Sequence, residues 1–300
     1  MPTPSCHSRA LLMLTLAALP TALIAQTSVR EGRPAARDAV VRLSLPAGIL
    51  RVTAWERDSV DVRGRLDGGA TSFMLGGPPA SLKGGLMVTP PSSRSASADL
   101  EVRLPREARV RVQSGAAEVE VTAGGGTVEV IGTSGRVRIA GTAERVSVET
   151  LDGNIELAVT GREGIVRSAD GTVVVRGVLD ALDASTVNGP LYVGMEGPIT
   201  RAHLETVSSE IAFKGRLTHE GRLNAETHGG DIELRLPPSI GASFHLVSYG
   251  PGIRNEMVPA GAVKAGPGKG EWTFTTGDGA AVVDVRTFKG RVVLLPRAEE

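Results

Sequence analysis

Histidine is the residue type here best suited to general acid–base work or metal ligation. Four follow the N-terminal segment: His203, His219, His228 and His245. No two are four residues apart, the spacing that aims both rings from one helix face at a metal. The chain has one cysteine, Cys6, so thiolate ligation has no second donor. The nearest approach to a ligand set is His228 with Asp231, near His219. A closed structural site needs four donors, and these residues are spread along the chain. Ordinary surface histidines are the expected reading, with no metal.

Other fragments of catalytic motifs fail on context. Gly132-Thr-Ser-Gly135 puts Ser134 between glycines, but a nucleophile elbow needs Gly-x-Ser-x-Gly on a strand–turn–helix. Gly266-Pro-Gly-Lys-Gly270 lacks the phosphate-loop spacing and the hydroxyl residue after Lys269, so it reads as a loop. Carboxylates such as Asp231 and Glu233 recur at alternate positions, as on a solvated sheet face. A glycosidase needs two carboxylates a few ångströms apart, and nothing marks such a pair. No catalytic, cofactor-binding or metal site is predicted.

The elements that carry these residues follow one frame. Ser114-Gly-Ala-Ala117, Gly132-Thr-Ser-Gly135, Thr150-Leu-Asp-Gly153, Ser168-Ala-Asp-Gly171 and Thr186-Val-Asn-Gly189 recur every eighteen residues. Between them apolar–x–apolar pairs fall every nine residues, including Val119/Val121, Val128/Val130, Val137/Ile139 and Val146/Val148. Each pair is a short half-buried strand by its period of two, and Val and Ile suit a pleated surface. Gly, Ser, Thr, Asp and Asn fill the gaps, as turns require. The fold class is all-β: a parallel β-solenoid of roughly 18-residue, two-strand coils with β-rich capping segments. Coils stack about 4.8 Å apart, giving a flattened tube with two sheets and the apolar pairs inward.

Hexapeptide acyltransferase coils also use eighteen residues, but their apolar period is six, not nine. Calcium-binding nonapeptide rolls need an Asp in nearly every turn, and here only Asp152 and Asp170 qualify. Pectin-cleaving β-helices have longer, three-stranded coils with clustered carboxylates.

The middle residue of each triplet faces outward, one coil from its neighbour. One such column reads Glu120, Arg138, Glu156, so opposite charges meet across coils. It then turns apolar at Val174, Tyr192 and Ala212, the candidate partner-binding strip, since exposed apolar patches mark contact sites. Ser114, Thr150, Ser168 and Thr186 form a second column, expected to be a hydroxyl ladder along one edge.

Residues 1–25 read as a signal peptide: Arg9 supplies the positive flank, Ala10–Ile24 is apolar, and small Ala25 precedes Gln26. Pro20 interrupts the run, which is short for a membrane span, so no span is expected in the mature chain. Residues 26–38 read as a linker, 39–105 as a β-rich N-terminal cap, and 106–295 as the solenoid with an irregular insert near 236–282. Gly68–Pro79 and Pro90–Ala98 read as loops. Gly277-Asp278-Gly279 reads as a hairpin turn between Trp272–Thr276 and Val282–Arg286. The 33 basic and 33 acidic residues balance, and aromatics are 3% of the chain. Neither an electrostatic footprint nor a stacking platform for nucleic acid is present.

The chain resembles the bacterial putative-adhesin family of β-strand-repeat proteins, a domain family of unknown function, over roughly residues 40–295. The carriers are Gly48-Ile-Leu-Arg-Val-Thr-Ala-Trp55 with Asp58-Ser-Val-Asp-Val62, the Thr-x-x-Gly-x-Val-x-Val blocks, and Thr287-Phe-Lys-Gly-Arg-Val-Val-Leu294. The resemblance implies export and a long parallel β-structure, and it transfers no catalytic residue. Similar solenoids sit beside envelope-stress sensors, which implies a second kind of role.

The expected function is therefore an exported, non-enzymatic adhesion or cell-surface scaffold protein. Its partner would be an envelope protein or a surface glycan, its cofactors none, and its location the periplasm, cell surface or exterior. The alternatives are an envelope-stress sensing or accessory subunit that binds a membrane protein and, least favoured, a polysaccharide-acting enzyme.

Overall fold

Alternating apolar residues make this chain almost wholly strand in a computed structural model that describes residues 27–88, 96–257, 264–265 and 270–297. The predicted signal peptide, most of Pro90–Ala98 and Gly266–Lys269 lie outside the described residues. At the N-terminal end are β1 (Thr27–Pro34), β2 (Val40–Trp55), β3 (Ser59–Asp67), β4 (Ala70–Gly76), β5 (Ser81–Val88) and β6 (Ser97–Pro105). The body is β7 (Arg109–Ser134), β8 (Val137–Asp152), β9 (Ile155–Asp170), β10 (Val173–Thr186), β11 (Leu191–Thr206) and β12 (Ile211–Thr227). At the C-terminal end follow β13 (Ile232–Leu236), β14 (Ala242–Ser248), β15 (Gly252–Asn255), β16 (Lys264–Ala265), β17 (Glu271–Thr276), β18 (Ala281–Thr287) and β19 (Arg291–Pro296). Among the described residues no helix is long and apolar enough to cross a membrane.

The eighteen-residue register holds. Val137 pairs with Val119 and Ile155, and Val146 with Val128 and Gly164, all in parallel. Each coil is one strand that continues round its outer bend, so the expected two sheets join into a single 19-stranded sheet. Both halves of each coil turn their apolar residues inward. Val137, Ile139, Val146 and Val148 are at most 1% exposed and belong to one core.

The outward columns follow the same register. Arg138 bridges Glu120 at 3.3 Å and Glu156 at 2.7 Å, while Arg111–Glu129 and Arg145–Glu163 repeat the eighteen-residue step at 2.6 and 2.5 Å. The hydroxyl column is buried: Thr150 donates to Ser168 at 3.1 Å, and the Thr186 and Thr206 hydroxyls share a hydrogen bond at 3.0 Å. Gly132 interrupts it, and the Ser114 hydroxyl oxygen is left without a partner.

The turn glycines are fixed by the close approach of stacked turns. A Cβ on Gly153 would lie 2.2 Å from the Gly135 carbonyl oxygen, and one on Gly189 1.7 Å from that of Gly171. Each turn therefore rests on the turn below with no space for a side chain.

Three segments differ from the sequence expectation. Residues 27–34, read as linker, form β1, which pairs antiparallel with β3. Only Val29 of that strand is buried, so an edge strand looks like polar linker in sequence. Within the predicted loop at 68–79, β4 pairs antiparallel with β5 and buries Phe73 and Leu75. The predicted hairpin is absent: β17 and β18 both pair with β14, antiparallel and parallel respectively, so the Gly277-Asp278-Gly279 turn carries the chain across β14. Within the insert expected near 236–282, β14 extends the stack beyond β12, β18 fills the place between them, and β17 covers the other edge of β14.

Candidate functional site

Position 174, 192 and 212 do stack in register on β10, β11 and β12, between Glu156 and Glu233 of the same column. The strip is modest. Val174 and Ala212 are half-buried, and Tyr192 is 37% exposed. The Tyr192 hydroxyl donates to Glu210 at 2.5 Å. That hydrogen bond, then burial, then the Glu210 charge raise its pKa above the ordinary tyrosine value. Tyr192 is thus tied into the face.

A larger apolar surface lies on the turn edge. The buried hydroxyl column Thr150, Ser168, Thr186, Thr206, Thr227, Thr287, Ser248 runs in register through seven coils. The next residue of each turn points to solvent: Leu151, Ala169, Val187, Val207, His228, Phe288, Tyr249. Leu151 and Tyr249 are 62% and 64% exposed, and Val187, Val207 and Phe288 are 40–46% exposed. Six steps of about 4.8 Å make a ridge roughly 29 Å long. His228 and Tyr249 flank Phe288 with ring centroids at 5.1 and 5.3 Å, an aromatic tip. Backbone hydrogen bonds hold the turns together: Ser208 N–H to the Val187 carbonyl at 3.0 Å, Gly229 to Val207 at 2.7 Å, Lys289 to His228 at 3.1 Å. Any partner meets a rigid column, with little ordering entropy left to lose.

The ridge is hidden in the sequence because the middle of each Thr-x-x-Gly frame reads as turn. Aligning that one position shows Leu, Ala, Val, Val, His and Phe where solvated turns favour polar residues. Position 249 needs the structure, because β14 joins the stack out of chain order.

The candidate ligand set of histidines separates. His228 packs tilted against Phe288, Asp231 accepts from the Arg291 backbone N–H at 2.7 Å, and His219 pairs with Asp278 at 2.7 Å. Among the described residues no group of three His, Cys, Asp or Glu side chains is placed to hold a metal. The Asp278 carboxyl is held below its ordinary pKa by the His219 hydrogen bond and by the Ala280 backbone N–H. This pair lies on the wall of a cavity of about 930 Å³, at the outer bend opposite the turn edge. Glu196, Arg216, Pro237, Ile240 and Arg297 also line it.

No family model matches the chain, and no curated protein matches it. Among solved structures it is similar to a putative cell adhesion protein from Clostridium sporogenes, with 8% identity over 90% of this chain and 100% of that one, at a TM-score of 0.25. It is also similar to a putative adhesin from Bacteroides fragilis, with 10% identity over 90% of this chain and 97% of that one, at a TM-score of 0.43. At those TM-scores the likenesses carry no argument about role, and the assignment as a β-solenoid rests on the strand register.

Proposed function

We propose that this protein is an exported, non-catalytic β-solenoid serving as an adhesion or cell-surface scaffold module, and that it meets a protein partner through the turn-edge ridge. The observation that carries the reading is the ridge itself. Five large apolar side chains stand 40–64% exposed on one in-register column. Contiguous exposed apolar surface marks contact sites, and aromatic anchors concentrate binding energy. Export rests on Arg9 and the apolar run Ala10–Ile24. The Val174/Tyr192/Ala212 strip is a smaller surface of the same kind.

The test is retention of the labelled protein on an envelope fraction from its own cells. Replacing Phe288 and Tyr249 together by Glu is expected to lower retention at least about tenfold, the loss of a small hot spot. The melting temperature should hold, because both side chains are outside the core. Protease treatment of the envelope should abolish the ridge-dependent part. Unchanged retention by the double variant would overturn the ridge as the contact.

A further inference from the structure

The chain is electrically neutral, but its ion pairs are unevenly distributed. In β7 to β9 every arginine but Arg109, namely Arg111, Arg136, Arg138, Arg145, Arg162 and Arg167, lies within 4.0 Å of a carboxylate. In β10 to β12, Arg176, Arg201, Lys214, Arg216 and Arg222 are all exposed, and none has an ion pair among the described residues. Two of them are like-charged neighbours: Arg201 and Arg222 are directly in register on adjacent coils. Such a pairing is destabilising in a free sheet, whereas elsewhere the same register places Arg beside Glu.

Arg201 and Arg222 sit in register on the sheet beside the outer bend of β11 and β12, Arg201 in a depression shared with Glu163 and Asp180, while Arg216, on the bend itself, lines the 930 Å³ cavity. Arg216 and Arg297 line that cavity, and Arg297 is anchored by Nη1 donating to the Met195 carbonyl at 3.2 Å, which leaves the rest of its fork available. The acids nearby are Glu144, Glu163, Asp180, Glu196, Glu220 and Asp278, of which Glu144 is engaged by Arg162, Glu163 by Arg145 and Asp278 by His219. The cavity lies within the volume range of small-ligand sites. Its wall includes the Thr218 hydroxyl and the backbone of Gly241 and Gly277, with His219 its sole ring side chain apart from Pro237. That lining suits a ligand rich in hydroxyls and does not stack bases.

We propose that this bend is a binding site for an acidic polysaccharide, whose carboxylates meet Arg201, Arg216, Arg222 and Arg297. Guanidinium forks recognise carboxylates by paired hydrogen bonds. A uronate chain presents one carboxylate per sugar, so it can reach successive arginines along the bend while one sugar enters the cavity. This site lies on the edge opposite the ridge and does not depend on it.

The test is calorimetric titration of the purified protein with oligogalacturonate, with neutral dextran and a single-stranded DNA oligonucleotide as comparisons. Oligogalacturonate is expected to bind, weakening as salt rises, and dextran not to bind. Arg216→Ala with Arg222→Ala should weaken binding at least about tenfold, as loss of two charge-assisted contacts requires. Arg111→Ala with Arg138→Ala removes the same net charge from paired arginines and should leave affinity unchanged. So should the Phe288/Tyr249 glutamate variant, which separates this site from the ridge. The proposal is overturned if oligogalacturonate does not bind, if the two arginine double variants weaken it equally, or if the DNA binds as tightly.

Discussion

Val137→Asp is expected to lower the melting temperature by roughly 10 °C or more, the shift produced by about 4 kcal/mol in a domain of this size. Val137 is 1% exposed and packs in register between Val119 and Ile155. Removing a buried apolar side chain of this kind costs about 1.5–3 kcal/mol. The new carboxylate adds a desolvation cost with no cation on the inner face to offset it. Arg138→Ala, one residue on, removes an exposed ion-paired side chain and should shift the melting temperature only slightly. Circular dichroism melts of the two variants check the alternation, which equal shifts would contradict.

Gly189→Ala is expected to cost about 3 kcal/mol, at the upper end for overpacking a close contact. The added methyl would sit 1.7 Å from the Gly171 carbonyl oxygen, a backbone atom that no rotamer change can move. The turns after β9 and β10 would have to part, weakening the Asn188 backbone N–H bond to the Ala169 carbonyl at 2.9 Å and the ridge above it. Gly194→Ala is the control. Its added carbon would meet only the flexible Arg176 side chain, at 3.8 Å, and the melt should barely change. A Gly189→Ala melt matching that control would contradict the close stacking of turns.

The coil was legible because its determinants are local and repeat. Val137 and Ile139 declare an inward pair, and Arg138 between them declares an outward charge. An eighteen-residue step brings Glu120 and Glu156 to it. The hydroxyl column was legible for the same reason. Strand β1 was not, since TSVREGRP buries only Val29 against the cap. The C-terminal order was hidden too: Thr287 pairs with Thr227 on one side and Ser248 on the other, partners that no sequence period relates. The cavity escaped because its lining comes from separate segments between Glu196 and Arg297. The Val174/Tyr192/Ala212 strip was legible as a column. The Glu210 contact that ties Tyr192 down was not, because Glu210 lies in the turn before β12.

The ridge, the strip and the arginine bend all depend on one register, and paired cysteines read it directly. In a Cys6→Ser background, Val174→Cys with Tyr192→Cys places two thiols on adjacent coils. Their Cα separation of about 4.8 Å falls within disulfide range. Val174→Cys with Ala212→Cys places them two coils apart, about 9.6 Å, beyond that range. Mild oxidation should close an intramolecular disulfide in the first pair and none in the second, as read by mass spectrometry of the folded protein. A first pair that stays reduced, or a second that closes as readily, would contradict the stack on which both proposed binding surfaces are built.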